Sequence, residues 1–490
     1  MPDAERQRRT VIAGGTAWLT RMVQAVISLG TAIVLARLLT PDAFGVFAMV
    51  VPLGVVANQL AGQSFQTALL QRLGLTPDEV HDFFRFAIRA NLAIAVLMVL
   101  AGFALAWFFD EPRVPAVAAA WALATWLLTI TTFQEAMLKR ELRFPVVMVS
   151  QLTGLVVGVA SAITAAMLGA GYWALPLQVL VMEATRAAGV ALTSRWAPWR
   201  RRSTTPSVSS TFDPQPSTLI STWWSLVGFR LSTWINDQPE LLAVGRIGGA
   251  FTLGLYDTAR RWAWYAFEEP YVILTEVAVS GARGSDPAVM RRLLTGAMTA
   301  TLAVSVPVIG FAGAAPDDVV LVLLGSQWLG AIPFLRLLCI AAAAGAVLRV
   351  LYWIPLARGM PGVLLRWSLF GQLPLTLIAV LVGSRWGPMG VATAMAIAWC
   401  AAVLPCGYIV LRNSPVGPQD VLGAAWRPLL ATVVGIAGVL AYRTLTILDG
   451  GLERLLIALS IFVVSFAAAW LMAPGGFSLV RTLSATLRPS

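Results

Sequence analysis

Charge, histidine and cysteine are all scarce in this chain, and each shortage removes a class of function. Only 12% of its 490 residues are Asp, Glu, Lys or Arg, about half the share of a soluble domain. His81 is the single histidine, and neither a His-based zinc site nor a Ser-His triad can be assembled from it. Cys339, Cys400 and Cys406 lie in apolar runs without ligand spacing, which fits packing rather than metal binding. The sequence has no GxxxxGK(S/T) phosphate loop, which argues against ATP hydrolysis. No long polar segment remains to hold a catalytic domain, so no catalytic residue, metal or cofactor is expected.

What the chain has instead is apolar length. It is 58% hydrophobic with a mean hydropathy of +0.77, and a single soluble core stops growing well below this size. Lipid is therefore its solvent, and the expected fold is an all-α integral membrane protein. Runs of about 20 apolar residues cross the roughly 30 Å of bilayer hydrocarbon. They fall near 11–38, 43–70, 83–109, 114–137, 146–169, 172–194, 218–247, 252–279, 291–313, 329–356, 363–383, 388–411, 422–442 and 454–473, giving about fourteen transmembrane helices. Arg6 to Arg9 precede the first run as in a signal peptide. That run is too long, contains Arg21 and has no small-residue cleavage site, so it reads as a retained helix.

The net charge of +11 would suggest nucleic acid in a soluble protein, but here it sits mostly in short loops. Even-numbered connections carry Arg72, then Lys139, Arg140 and Arg143, then Arg195 and Arg200 to Arg202, and later Arg283, Arg291, Arg358 and Arg412. Odd-numbered connections are short and poor in arginine. The positive-inside rule then puts both termini in the cytoplasm.

Residues 197–217, rich in Pro, Ser and Thr, read as a cytoplasmic linker between lobes. A repeat supports the division. Ala36-Arg37-Leu38 with Gly45-Val46-Phe47 returns 209 positions later as Gly245-Arg246-Ile247 with Gly254-Leu255-Tyr256, and Arg140 matches Arg358 at 218. The expected domains are 1–196 and 218–415, six helices each, with two extra helices and a tail in 416–490. An even helix count before the repeat keeps both lobes in one orientation, with the symmetry axis along the membrane normal.

The same spacing of 209 aligns Arg21 of the first span with Arg230 of the seventh. Both lie roughly 15–18 Å from the cytoplasmic end at 1.5 Å per residue. An arginine at that depth costs ~2.5–3.5 kcal/mol or more unless it faces a cavity or a partner. A paired cationic site between lobes is one reading, and ion pairing inside each lobe or snorkelling is the other. Gln24 shares the Arg21 stripe, while Trp234 and Asp237 share that of Arg230. Glu240 follows a proline, and the eighth span adds Asp257, Arg260, Arg261 and Glu268. Asp257 and Arg261 are spaced to pair along the helix; ligand binding or gating is the alternative. Gln63, with Gln59 and Gln66 on one face of the second span, suits a neighbouring helix or sugar hydroxyls. Glu183, Arg186, Arg336 and Arg349 are taken to lie nearer helix ends, where snorkelling suffices. Guanidinium forks suit phosphate and aromatic faces suit sugar rings, so the cavity reading points to a large anionic glycosylated substrate.

The stretch Ala36-Arg37-Leu38-Leu39-Thr40-Pro41-Asp42-Ala43-Phe44-Gly45 resembles the A-R-x-L-x-P-x-x-F/Y-G segment of bacterial polysaccharide flippases. These are the Wzx-like transporters of the multidrug/oligosaccharidyl-lipid/polysaccharide exporter superfamily. Ala68 to Arg72, Leu138 to Phe144, and Glu240 with Gly245, Arg246, Gly254, Leu255 and Tyr256 resemble three further segments, in order over most of residues 10–412. Ser64 stands where a glycine is usual and Glu240 where aspartate is commoner. The resemblance implies an oligosaccharide-lipid flippase for exopolysaccharide, capsule or O-antigen. It would carry an undecaprenyl-diphosphate-linked repeat unit by alternating access, with the last two helices lining a groove for the lipid tail. It leaves proton or sodium coupling open, and suggests a polysaccharide polymerase and chain-length regulator as partners. Arg21, Arg230, Arg260, Arg261, Gln24, Trp234 and Gln63 are the expected substrate-binding residues; Asp237, Glu240, Asp257 and Glu268 are the expected gating or coupling residues. Three rival readings are a multidrug exporter of the same superfamily, a membrane glycosyltransferase or polymerase, and an export-complex scaffold.

Overall fold

The computed structural model describes residues 3–71, 77–193, 236, 238–412, 414–445 and 451–473, with side chains described from Arg21 onward apart from a few within helices. Among these residues the chain is helical, without strands. Seventeen α-helices follow in order: α1 (Asp3–Leu38), α2 (Pro41–Asn58), α3 (Ser64–Gln71), α4 (Pro77–Phe109), α5 (Val114–Arg140), α6 (Phe144–Met167), α7 (Ala174–Thr193), α8 (Pro239–Ala282) and α9 (Pro287–Ala314). The remainder are α10 (Pro316–Leu323), α11 (Ile332–Leu351), α12 (Trp353–Ala357), α13 (Pro361–Trp367), α14 (Leu373–Gly383), α15 (Gly387–Leu411), α16 (Pro418–Leu445) and α17 (Leu452–Met472).

Eleven helical segments among the described residues are long and apolar enough to cross a membrane. One of them, Pro361–Leu411, contains two expected spans separated by the turn Ser384–Trp386. Most expected helix ends recur within about four residues; α1 and α4 start eight and six residues before the expected runs, because a helix can continue with polar residues beyond the hydrocarbon. Proline sets many of the starts, in α2, α5, α6, α9, α11 and α15, where its missing N–H costs nothing. The second span is α2 and α3 joined through a π-helical turn at Gln59–Gln63, where the Ser64 hydroxyl donates to the Gln59 carbonyl at 2.8 Å. Most of the expected seventh span lies outside the described residues. The eighth is the part of α8 after Gly249, whose φ of 68° breaks the helix at the Gly248-Gly249 connection.

The chain divides into two compact units, Met1–Gly254 and Leu255–Ser490. The boundary falls inside α8; the expected linker 197–217 lies outside the described residues. In unit 1, α4 packs on α5, α6 on α7, and α5 on α7, around a core of Phe65, Phe83, Phe84 and Phe133. In unit 2, α9 packs on α16, α11 on α15, and α16 on α17. Phe462 of α17 is buried there with Val439 and Ala314.

Within unit 1, α2 and the chain just after Gly249 meet backbone to backbone. A Cβ on Gly45 would overlap the Ala250 carbonyl, and one on Gly254 would overlap the Pro41 carbonyl. Gly45 and Gly254 are repeat counterparts at the 209 spacing, as are Pro41 and Ala250, so each glycine rests on the counterpart of the other's support. Only a residue without a side chain fits such an approach.

Side-chain ties confirm the alternation of helix direction within each unit. Asp42, Arg113 and Tyr172, from the first, third and fifth connections, meet at one end of unit 1. At the other end Arg140 donates to the Leu69 carbonyl and Arg143 to the Thr193 carbonyl. Unit 2 repeats the scheme, with Asp317 meeting Arg443 at the odd end and Arg291 meeting Asp420 at the even end.

Candidate functional site

Three charged constellations and one groove stand out, and each is described within its own unit. The first is in unit 1. Glu183 sits midway along α7, 7% exposed, and Glu135 of α5 is 2% exposed. Arg186 bridges them, at 2.7 Å from Glu183 Oε1 and 2.9 Å from Glu135 Oε1. Gln66 and Gln151 donate to Glu135 at 3.4 and 3.3 Å, and the Lys139 ammonium lies 3.6 Å from Glu135 and donates to Gln66 at 3.1 Å. The local sequence makes room for this. A Cβ on Gly154 of α6 would collide with Arg186 Cγ, and one on Gly158 with Met182, so the Gly-x-x-x-Gly spacing lets α6 close over the arginine. The Ser150 hydroxyl donates to the Arg186 carbonyl on the same face.

This arrangement corrects the snorkelling expectation for Glu183 and Arg186. The side chains turn inward and pair, because a carboxylate halfway along α7 cannot reach water at either end, whereas an arginine three residues away can neutralise it. The partner Glu135 is 51 positions from Arg186 and was not singled out from sequence. The small-residue spacing Ser150, Gly154, Gly158 opposite α7 was the available signal.

In unit 2, Asp257 is buried on α8 and pairs with two arginines, Arg261 Nε at 2.7 Å and Arg260 Nη2 at 3.4 Å. The pairing along the helix therefore includes Arg260 as well as the expected Arg261. One turn on, the Arg349 guanidinium lies 5.0 Å over the Trp264 ring, which abuts Trp399 at 5.0 Å. Arg349 lies in the last turn of α11, near a helix end as expected, and there it rests over an aromatic face. Tyr271 stacks on Trp353 at 5.6 Å, and the Trp353 indole donates to Thr275 at 2.7 Å. Trp264 and Trp353 are buried, so these rings pack the unit and offer little open face.

The third constellation closes the odd end of unit 2. Asp317 meets Arg443 and, at 3.1 Å, Arg336; buried Asp318 faces Arg454 at 3.5 Å and Arg443 at 3.8 Å. Arg443 ends α16 and Arg454 begins α17, so the last two helices are tied to α10 by charge. Its counterpart in unit 1 is smaller: Arg113 grips Asp42 at 2.6 Å and Glu111 at 2.7 Å, and lies 5.6 Å over Tyr172. The hydrogen bond from Arg113 holds the Glu111 carboxyl below its ordinary range, against a smaller opposing effect of burial.

Among the remaining expected residues, Arg21 is exposed and Gln24 half-buried on α1, Glu240 is buried in α8, and Glu268 is exposed. Arg230, Trp234, Asp237 and the Gln63 side chain lie outside the described residues.

Unit 2 also holds an apolar groove of about 1250 Å³ between α9, α11, α15 and α16. Val306, Ile340, Val347, Leu404, Leu422 and Val433 line it, with Arg336 and Arg412 among its polar members. Of the last two helices, α16 lines the groove and α17 packs behind α16.

The described residues thus form a multi-pass helical fold with charge-bearing helices inside each unit. Solved structures share it. The chain is similar to lipid II flippase MurJ in an inward closed conformation, with a TM-score of 0.70, 12% identity, and coverage of 93% of this chain and 97% of that one. An inward-facing multidrug resistance MATE family transporter gives 0.60 at 14% identity over 83% and 94%. The succinoglycan biosynthesis transport protein ExoT of Rhizobium meliloti (strain 1021) is 26% identical over 423 residues, 82% of this chain and 80% of that protein. The family described as polysaccharide biosynthesis protein matches residues 34–333, and the chain belongs to it.

Proposed function

We propose that the protein flips an undecaprenyl-diphosphate-linked oligosaccharide from the cytoplasmic to the periplasmic leaflet of a bacterial inner membrane. The observation that carries this reading is the 1250 Å³ apolar groove in a chain of the polysaccharide biosynthesis family. A polyprenyl tail can stay among aliphatic side chains there while the head group passes through a polar interior. Repeat-related Arg21 and Arg230 receive the diphosphate, with Arg260, Arg261, Gln24, Trp234 and Gln63 around the glycan. Asp237, Glu240, Asp257 and Glu268 serve gating, and both termini face the cytoplasm. Lobes 1–196 and 218–415 rock against each other, a proton or sodium gradient supplies the bias, and a polymerase with a chain-length regulator consumes the product.

Deleting the gene should leave the lipid-linked repeat unit accumulated in the inner leaflet, and wild-type protein should clear it. An Arg21→Ala/Arg230→Ala double variant that inserts normally should fail to clear it. Normal polymer export after deletion, with raised sensitivity to cationic drugs instead, would favour the multidrug reading and sink this one.

A further inference from the structure

The two carboxylates of the unit 1 network are satisfied very unequally. Glu135 is approached by Arg186, Gln66, Gln151 and Lys139. Glu183 has Arg186 on Oε1, while its Oε2 is buried and meets no donor among the described residues. Next to Glu135 in α5, Gln134 is fully buried, and neither of its amide atoms has a partner among the described residues. The charged groups facing Glu183 are Arg186 on its own helix and Glu135 on α5, with Lys139 beyond Glu135; α6 brings the uncharged Gln151 and Ser150.

The charge count sharpens the asymmetry. Arg186 and Lys139 balance Glu135 and Glu183 in number, but Lys139 sits beside Glu135, 22% exposed at the even end of α5, so Glu183 has only the guanidinium it shares with Glu135. A buried charge without full pairing is expensive, and a carboxyl group can shed that cost by taking a proton. One proton on Glu183 Oε2 removes that poorly paired charge and leaves the Arg186–Glu135 pair in place. Protonating Glu135 instead would forfeit several donors.

We propose that Glu183 is a reversible proton-binding site inside unit 1, with Arg186 and Glu135 as the fixed ion pair beside it and Lys139 at its solvent-facing edge. Binding changes the interior charge of the unit by one and gives it two electrostatic states. The inference is independent of what the protein transports.

The test uses full-length protein in lipid nanodiscs without substrate. Infrared difference spectra are recorded in steps from an alkaline to an acidic buffer. Wild type should develop the C=O band of a protonated carboxylic acid. Glu183→Gln should lack that band and Glu111→Gln should keep it. Glutamate carrying carbon-13 in its carboxyl group should shift the band in wild type, which assigns it to a glutamate rather than an aspartate. A band that survives in Glu183→Gln, that ignores the label, or that never appears in wild type overturns the proposal. Because no glycan is present, each of those outcomes leaves the transport reading standing.

Discussion

Units 1 and 2 each gather acids and arginines, but at different depths and on different elements. In unit 1 the densest cluster is Glu135, Arg186 and Glu183, between helix interiors and nearly closed to water. In unit 2 it is Asp317, Asp318, Arg336, Arg443 and Arg454, at helix ends where water can share the work. An interior ion network becomes costly as soon as one member is lost, because the survivors have no solvent to turn to. An end cluster degrades gradually, and what it secures is position: it pins α16 and α17 to α10. The same chemistry thus makes a sensitive interior in one unit and an anchor in the other.

The largest effect should come from Arg186→Ala, which leaves buried Glu183 without its cation and takes one from Glu135. A loss of ~3–5 kcal/mol is expected for breaking a buried pair, read as a lower unfolding temperature in detergent. A loss below about 1 kcal/mol would erase the distinction between the units. Arg443→Ala comes next. It removes the links to Asp317 and Asp318 and a hydrogen bond to the Ala314 carbonyl, and bonds to charged groups are worth roughly 1.5–3 kcal/mol each. Hydrogen exchange should rise first in α17 and the end of α16, with unit 1 unchanged; uniform acceleration would refute the anchor.

The smallest effect belongs to the unit 1 clasp. Arg113 and Asp42 are each about a third exposed, so Asp42→Asn should cost only ~0–1 kcal/mol. Its pH dependence is more informative. The Glu111 carboxyl titrates below its ordinary value in the folded protein, so its contribution is complete above the ordinary carboxylate range and disappears as pH falls through the lowered one. Glu111→Gln should flatten that acidic limb of the stability curve, and an unchanged limb would show that the clasp does not titrate with folding.

Much of the fold was legible because hydrophobic length and loop charge are local signals. The first span ends at Leu38, the fourth begins at Val114 and the twelfth ends at Leu411, each within a residue or so of the helix observed. The ion clusters were far less legible. Glu135 and Arg186 meet across 51 positions, and Asp317 and Arg443 across 126. Hydropathy and helical spacing cannot see partners on other helices, so a mid-helix Glu183 read as a residue near a helix end. Asp257 with Arg261 was visible because both lie on one helix, four residues apart.

The crossing of Gly45 on Ala250 and Gly254 on Pro41 has a meaning beyond close packing. When a residue touches the counterpart of its own neighbour, and that relation is mutual, the contact is isologous, as at the two-fold axis of a symmetric dimer. A side chain added at either glycine would then disturb the same joint, and adding both should harm the protein less than the sum of the two.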